Sequence, residues 1–419
     1  MKKIILISFL LPVFLFSCTA KTKQAESWSP VTVQKEQKKK ILMHMMTWFW
    51  MDKDNKHPEA QAKGNPWFGH WTMDNMNPEI VDSLGRRQIA AHYYPLTGPY
   101  SSTDRNIIEY QLLLMKLAGV DGIIFNTSTL NPHWDFHALV EATDSIAKMT
   151  KQFGLEISIM YEDQHLRDNI GRGFLNDSTA MLQAKSDMEY YRNRYFDEPN
   201  YTKVNGRPLL TDFGPQYFTK EEQWTEIFSV FGDNQPAFFA LNYAGYKAGK
   251  NTYGEFAWVD QREHYHLDNL RHFYNTYEFD GKKMGTAYPG FHDFYKEGGW
   301  GAGYFYIPFR GDTTLVETLQ LAFAADSIEM IQLATWNDYG EGTMFEPTQE
   351  FGFKFLATLQ RELGVQNLTE KDLELVYDLY QARVKFAGNA GVQKQLDKAS
   401  ALMAALNTVD ARQIIEGLK

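Results

Sequence analysis

"IEMIQLATWNDYGEGTMFEP" (residues 328–347) opens with an apolar run, "IEMIQLATW", and then sets two carboxylates three residues apart, Asp338 and Glu341, among aromatics and glycines. The run has the length and composition of a buried strand. The acids sit where such a strand gives way to a loop. Buried parallel strands capped by loops that carry polar groups are the signature of helix-covered parallel sheet. In a (β/α)8 barrel those loops hold the reacting groups.

Working outward, the same texture repeats. Strand-like runs are read at 41–49 ("ILMHMMTWF"), 89–94 ("IAAHYY"), 120–126, 155–162, 207–214, 236–243, 254–260, 284–290, 301–307 and 330–336. Amphipathic helical runs lie between several of them. "DRNIIEYQLLLMKLAG" has Asp104 placed to cap its start and Gly119 to stop it; "FHALVEATDSIAKMTKQFG" stops at Gly154; "DTTLVETLQLAFAADS" leads directly into the opening stretch. About eight strand–helix units over roughly 300 residues predict an α/β fold, a (β/α)8 TIM barrel, over residues 40–350. A doubly wound sheet is the competitor, but no glycine-rich phosphate turn follows the first strand. Ten candidates for eight strands imply that one or two form a hairpin in a loop. After residue 350 the pattern turns helical, so 351–419 is expected to form a C-terminal helical segment packed on the barrel.

Bulk properties narrow the function. The 419 residues carry a net charge of −10, which gives no electrostatic support for a nucleic-acid partner. Aromatics make up 15 %, including 10 Trp and 23 Tyr, enough to offer stacking surfaces as well as core. The one cysteine, Cys18, ends "MKKIILISFLLPVFLFSC", which has a basic start and a short apolar run and reads as a secretory signal. "LFSC" resembles a bacterial lipobox. The expectation is a signal peptide at 1–17, lipidation of Cys18 and a flexible polar tether at 18–39. That makes an exported, outer-membrane-anchored lipoprotein of a Gram-negative bacterium, facing the periplasm or the surface. An exported chain with no second thiol has no disulfide, so packing must stabilise it. A monomer is expected.

Strand ends select the candidate site. Carboxylates, amides and aromatics dominate there: Trp48, Tyr93, Tyr94, Asn126, Glu162, Asp163, His165, Asp212, Asn242, Asp260, His292, Asn337, Asp338 and Glu341. Such a lining suits a sugar, whose ring stacks on aromatics and whose hydroxyls bond to carboxylates and amides. Glycoside cleavage needs one group to protonate the leaving oxygen and another to make or assist the attack. Asp338 and Glu341 are the expected pair. On a locally helical turn their Cβ atoms would lie roughly 5–6 Å apart. An inverting pair stands about 6.5–9.5 Å apart, so this spacing suits an acid on the glycosidic oxygen and a base on the adjacent 2-hydroxyl. The competing assignment has Asp338 capping a turn and Glu341 holding a structural arginine. Expected substrate-binding residues are Trp48, Trp71, Tyr94, Asn126, Glu162, Asp212, Asp260, His292, Trp336, Asn337 and Tyr339. "GNPWFGHW" (64–71) is either a subsite wall or an aromatic plug, and "LMHMM" is read as barrel core. "DQREHYH" (260–266) fits no common zinc spacing, so neither metal nor cofactor is expected.

"TWNDYGEG" resembles the signature of glycoside hydrolase family 71, the α-1,3-glucanases. "YYPLTGPYSSTD" (93–104) and the helix after it resemble family 99, the endo-α-mannosidases and endo-α-mannanases. The likeness spans roughly residues 40–350 and implies a (β/α)8 barrel acting on α-linked glycans, α-mannan or α-glucan, with endo action expected. It implies Asp338 as the base and Glu341 as acid/base, by a route through a 1,2-anhydro sugar in family 99. There are departures. Family 99 has a Glu-x-x-Glu in this loop, a Trp near the position of Thr127, and a His where Met160 stands. A glycan-binding lipoprotein on a retired glycosidase barrel is the alternative that these departures motivate.

Overall fold

The computed structural model describes residues 28–51, 67, 69–131, 133 and 136–418. The expected signal peptide, Cys18, the first part of the tether and half of "GNPWFGHW" lie outside them.

Eight parallel strands close on themselves: β1 (Lys40–Met46), β2 (Gly122–Asn126), β3 (Glu156–Tyr161), β4 (Arg207–Asp212), β5 (Ala237–Leu241), β6 (Gly254–Phe256), β7 (Lys282–Ala287) and β8 (Ile328–Leu333). The closing pair is β1 with β8, in register Lys40↔Met330 through Met43↔Leu333. The chain is thus a (β/α)8 barrel. Two of the ten strand candidates do not join it. Residues 301–307 contribute only Tyr306–Ile307, which pairs antiparallel with Phe291–His292 above the barrel. "IAAHYY" forms no strand; its backbone is irregular, and Ala90 N–H donates to Trp71 O.

The pleat explains why these runs are apolar on both faces. Side chains alternate along a strand, so residues two apart share a face. Leu42, Ile124, Met160, Leu209, Phe239, Phe256, Met284 and Met330, one from each strand, fill the barrel axis. Their neighbours of opposite parity, among them Met43, Ile123, Ile159, Leu210, Phe238 and Ile331, pack under the helices. Two residues further along several strands, the inward face reaches His44, Asn126, Glu162, Leu241 and Trp258, which line a cavity. Where strands end, the inward row stops filling core and lines the cavity.

The helices follow the expected signals. In α1 (Arg105–Leu117) the Asp104 side chain accepts from the N–H groups of Asn106 and Ile107, satisfying two of the helix's open donors. Gly119 then turns the chain at φ +88°, a conformation that costs glycine little. α2 (Phe136–Phe153) ends at Gly154, φ +67°, and α3 (Thr313–Ala324) leads into β8. Past the barrel, α4 (Lys354–Leu363), α5 (Glu370–Lys385), α6 (Ala390–Ala404) and α7 (Thr408–Glu416) form the C-terminal segment. It is fastened to α1 by a buried ion pair, Arg383 to Glu109, with two contacts of 2.8 Å.

The described part of the expected tether is seated, not loose. Val31 N–H donates to Ala404 O (3.1 Å), Glu36 N–H to Leu363 O (3.0 Å), and Lys35 Nζ pairs with Asp121 at 2.7 Å. Polar composition alone read this stretch as free. Its lysines and backbone instead bond to helix C-terminal carbonyls and to a carboxylate at the base of β2.

Candidate active site

The loop after β8 is closed at its base. Thr335 N–H donates to Thr343 O (3.0 Å), and Phe345 N–H returns to Thr335 O (2.9 Å). Between these ties, residues 339–342 form a turn instead of the helix assumed for the spacing argument. Asp338 N–H donates to Thr335 Oγ1 (2.8 Å), and Glu341 N–H donates to Asp338 Oδ1 (2.9 Å). Asp338 therefore does cap a turn, as the structural alternative proposed. It also lines the cavity, together with Glu341. Glu341 is not held by an arginine: its Oε1 accepts from Tyr295 OH at 3.1 Å.

The cavity is about 570 Å³ and opens at the C-terminal end of the barrel. Of the eleven residues expected to bind substrate, Trp48, Asn126 and Glu162 line it alongside the acid pair. Glu162 Oε1 accepts from Asn126 Nδ2 (2.8 Å), and its Oε2 lies 3.4 Å from His165 Nε2. Trp48 stacks on His70 with centroids 3.9 Å apart and planes 6° from parallel.

The other eight lie outside the lining. Asn337 is a clamp: its Oδ1 accepts from Met46 N–H (2.9 Å) and its Nδ2 donates to Met46 O (3.0 Å), fixing the acid loop to the end of β1. Tyr339 is fully buried and donates to Glu346 Oε2 at 2.9 Å. Trp336 is core, with its backbone N–H on His44 O (2.6 Å), and Trp71 packs on Phe49 at 4.1 Å with its indole N–H on Tyr100 O. Tyr94 OH accepts from Arg87 N–H (3.1 Å), and Asp260 is held by Arg262 at 2.9 Å. Asp212 has the wrong parity: Leu209 and Thr211 alternate with it, so its carboxyl is buried outside the barrel axis and meets Asp163 N–H at 3.2 Å. His292 supports the site without lining it, since its N–H donates to Glu341 O (2.9 Å).

Several lining residues were not singled out from sequence: His44, Trp258, Tyr295, Trp300 and Tyr304; "GNPWFGHW", read as subsite wall or plug, has Gly69 and His70 in the lining and Trp71 in the core. Strict alternation from Leu42 and Phe256 would have found His44 and Trp258. Nothing in the sequence pattern places the long 291–307 loop beside the acids.

Electrostatics separate the two acids. Burial pushes Asp338 up to about 7, while the backbone N–H groups of Glu341 and Gly340 hold it down. Burial also pushes Glu341 well above the usual carboxylate range, and the adjacent Asp338 charge raises it further. Two neighbouring carboxylates in a poorly solvated site cannot both ionise readily. Asp338, bonded to two backbone donors, takes the charge, and Glu341 keeps the proton. His44 is driven down to about 4 by burial, so it is neutral and acts as a hydrogen-bonding group on the cavity floor. Among the described residues no group of three or more His, Asp or Glu side chains is arranged to hold a metal ion.

No protein-family model matches the chain, and no curated protein does. Solved structures do resemble it. The family 99 endo-α-mannosidase from Bacteroides thetaiotaomicron superposes with a TM-score of 0.54 at 15 % identity, covering 80 % of this chain and 98 % of that one. A glycoside hydrolase-like protein superposes with a TM-score of 0.55 at 11 % identity, covering 80 % and 97 %. The chain has the barrel fold of these proteins and shares it over nearly their whole length.

Proposed function

We propose that the chain is a glycoside hydrolase that cleaves an α-linked glycan, with Glu341 protonating the departing glycosidic oxygen and Asp338 drawing a proton from the attacking group. The observation that carries this reading is that both acids of one closed loop line one cavity, with Asp338 accepting from Glu341 N–H and Glu341 accepting from Tyr295 OH. A general acid must hold its proton at working pH and its partner must be ionised. The attacking group is the substrate's own 2-hydroxyl or a water. The turn bond from Glu341 N–H to Asp338 Oδ1 keeps the acids adjacent, which favours the 2-hydroxyl, next door to the glycosidic oxygen. The fold shared with a family 99 endo-α-mannosidase supports α-mannan as the first substrate to try, and the sequence likeness to family 71 adds α-1,3-glucan.

The test is hydrolysis of both polymers by the full chain and by Asp338→Asn and Glu341→Gln. Each substitution should cut turnover by about 10²–10⁴-fold with the fold retained. Near-normal turnover by either variant removes the assignment. Tight oligosaccharide binding with no cleavage over a broad glycan panel would instead make the chain a glycan-binding protein. Export and anchoring through Cys18 belong to the same proposal: Cys18→Ser should release the protein from the membrane fraction, and equal retention of both forms refutes it.

A further inference from the structure

The segment after β7 carries aromatic side chains that the chemistry above does not use. The Phe291–His292 and Tyr306–Ile307 pair forms its base. A short helix, Tyr295–Gly298, and a glycine-rich turn, "GWGAGY" (299–304), form its tip. The tip is clasped: the Asp293 carboxylate accepts from Tyr295 N–H (3.1 Å) and from Tyr304 N–H (2.9 Å). Gly299, Gly301 and Gly303 have φ of +87°, +154° and +78°, where a side chain would be strained. The segment is also tied to the acid loop, by His292 N–H to Glu341 O (2.9 Å) and Phe294 N–H to Gly340 O (2.8 Å).

This braced segment holds large rings in water. Trp300 is 38 % exposed, Tyr304 65 % and Tyr306 52 %. Trp300 and Tyr304 line the cavity. Trp300 meets the edge of His70 at 5.1 Å, continuing the Trp48–His70 stack outward. Tyr306 follows Tyr304 by two residues. The alternation of exposed Tyr304 and Tyr306 with half-buried Phe305 and buried Ile307 puts both tyrosines on the outer face. Exposed aromatics that are rigidly held and continuous with a binding cavity mark a surface with a partner. The partner must be continuous with whatever enters the cavity, and it must present flat apolar faces edged with hydroxyls.

We infer that Trp300, Tyr304 and Tyr306 form an outer carbohydrate subsite that grips further sugar units of an extended glycan as it leaves the cavity. This rests on the glycan reading above and adds to it a preference for chain length. Each ring stacked on a sugar face should contribute roughly a two- to tenfold gain in affinity.

The experiment uses the full chain carrying Glu341→Gln, so that ligands survive. Calorimetry compares the disaccharide and hexasaccharide of α-linked mannose, and of α-1,3-linked glucose, before and after Trp300→Ala, Tyr304→Ala and Tyr306→Ala. The hexasaccharide of one series should bind at least tenfold tighter than its disaccharide. Each alanine variant should weaken the hexasaccharide two- to tenfold and the Tyr306→Ala disaccharide affinity by less than twofold, with melting temperature unchanged. Equal affinity for both lengths, equal losses on both from Tyr306→Ala, or no binding in either series overturns the inference. The two proposals fail separately. Length-dependent binding without hydrolysis by the unsubstituted chain removes the catalytic reading alone. Hydrolysis with the same kcat/KM on short and long chains removes the outer subsite alone.

Discussion

Replacing Glu346 by Gln should make the protein more stable at pH 8 and leave it nearly unchanged at pH 5. Glu346 is buried beneath the acid loop. Its Oε2 accepts from Tyr100 OH (2.7 Å) and Tyr339 OH (2.9 Å), and its Oε1 accepts from Gln111 Nε2 (2.9 Å). Burial raises it from an ordinary 4.5 to about 7, against the pull of those three donors. A carboxyl raised on folding favours the protonated folded state. Its contribution is complete below pH 4.5 and is lost as pH climbs through about 7. At ~1.36 kcal/mol per pH unit, that interval amounts to roughly 3 kcal/mol. Glutamine cannot ionise, so the variant escapes the loss. It can also replace the contacts: its carbonyl accepts from both tyrosines, and its NH2 donates to Gln111 Oε1, which has no partner in the native network and becomes available when that amide flips. Intrinsic-fluorescence urea titrations of both proteins at pH 5, 6, 7 and 8 give the difference directly, with other titrating groups cancelling. Stability curves that stay parallel across the range, or a variant less stable at pH 8, refute the reasoning.

Three further outcomes are expected. The kcat/KM profile on a cleaved glycan should have its acid limb centred near pH 7, where Asp338 takes up a proton and ceases to be a base; a profile flat from pH 5 to 8 contradicts the role given to it. Asp212→Asn should leave turnover within twofold and stability within about 1 kcal/mol, because burial, aided by the nearby Asp163 charge, keeps that carboxyl protonated; a tenfold loss of activity would return it to the site. Arg383→Met should destabilise by about 3–5 kcal/mol by stranding buried Glu109, and adding Glu109→Met should restore most of it in thermal melts; equal melting temperatures for the single and double variants would show that the pair is not what joins helix and barrel.

The barrel was legible because its strands are buried on both faces, and apolar runs between helical stretches have few other uses. The acid pair was legible because a strand end is a special place in such a fold. What misled was treating every polar residue near a strand end as facing the ligand. Asp212 and Asn126 look alike in that respect, yet one parity points under the helices and the other into the cavity. His44 shows the converse. It sits in "LMHMM" among core methionines, but it is two residues past Leu42 on the axis face and so reaches the cavity floor. "IAAHYY" has strand composition and forms none: His92 stacks on His292 and Tyr93 packs against Phe309 and Phe351, a tertiary environment that no local pattern encodes. The loop carrying Tyr295, Trp300 and Tyr304 reaches the acids through bonds to residues some fifty positions later, from His292 N–H to Glu341 O and from Tyr295 OH to Glu341 Oε1, and local sequence cannot report such pairings.

The two readings of Asp338 turn out not to compete. As a turn cap it looked structural, and capping is what fits it for chemistry. The N–H it binds belongs to Glu341, so the bond that shapes the loop also fixes where the second acid begins. The same donor, with that of Gly340, favours the ionised form of Asp338 and leaves the remaining proton to Glu341. A glutamate at 338 would carry one more methylene and would have to fold back to reach the same N–H, giving up either the cap or its rotamer. Asp338→Glu keeps the charge and lengthens the reach. It should therefore loosen the turn and narrow the difference between the acids, seen as reduced kcat and an alkaline limb moved to lower pH. If Asp338→Glu instead matched the native chain in rate and in pH profile, the cap would have no part in dividing the proton, and the division would have to come from burial alone.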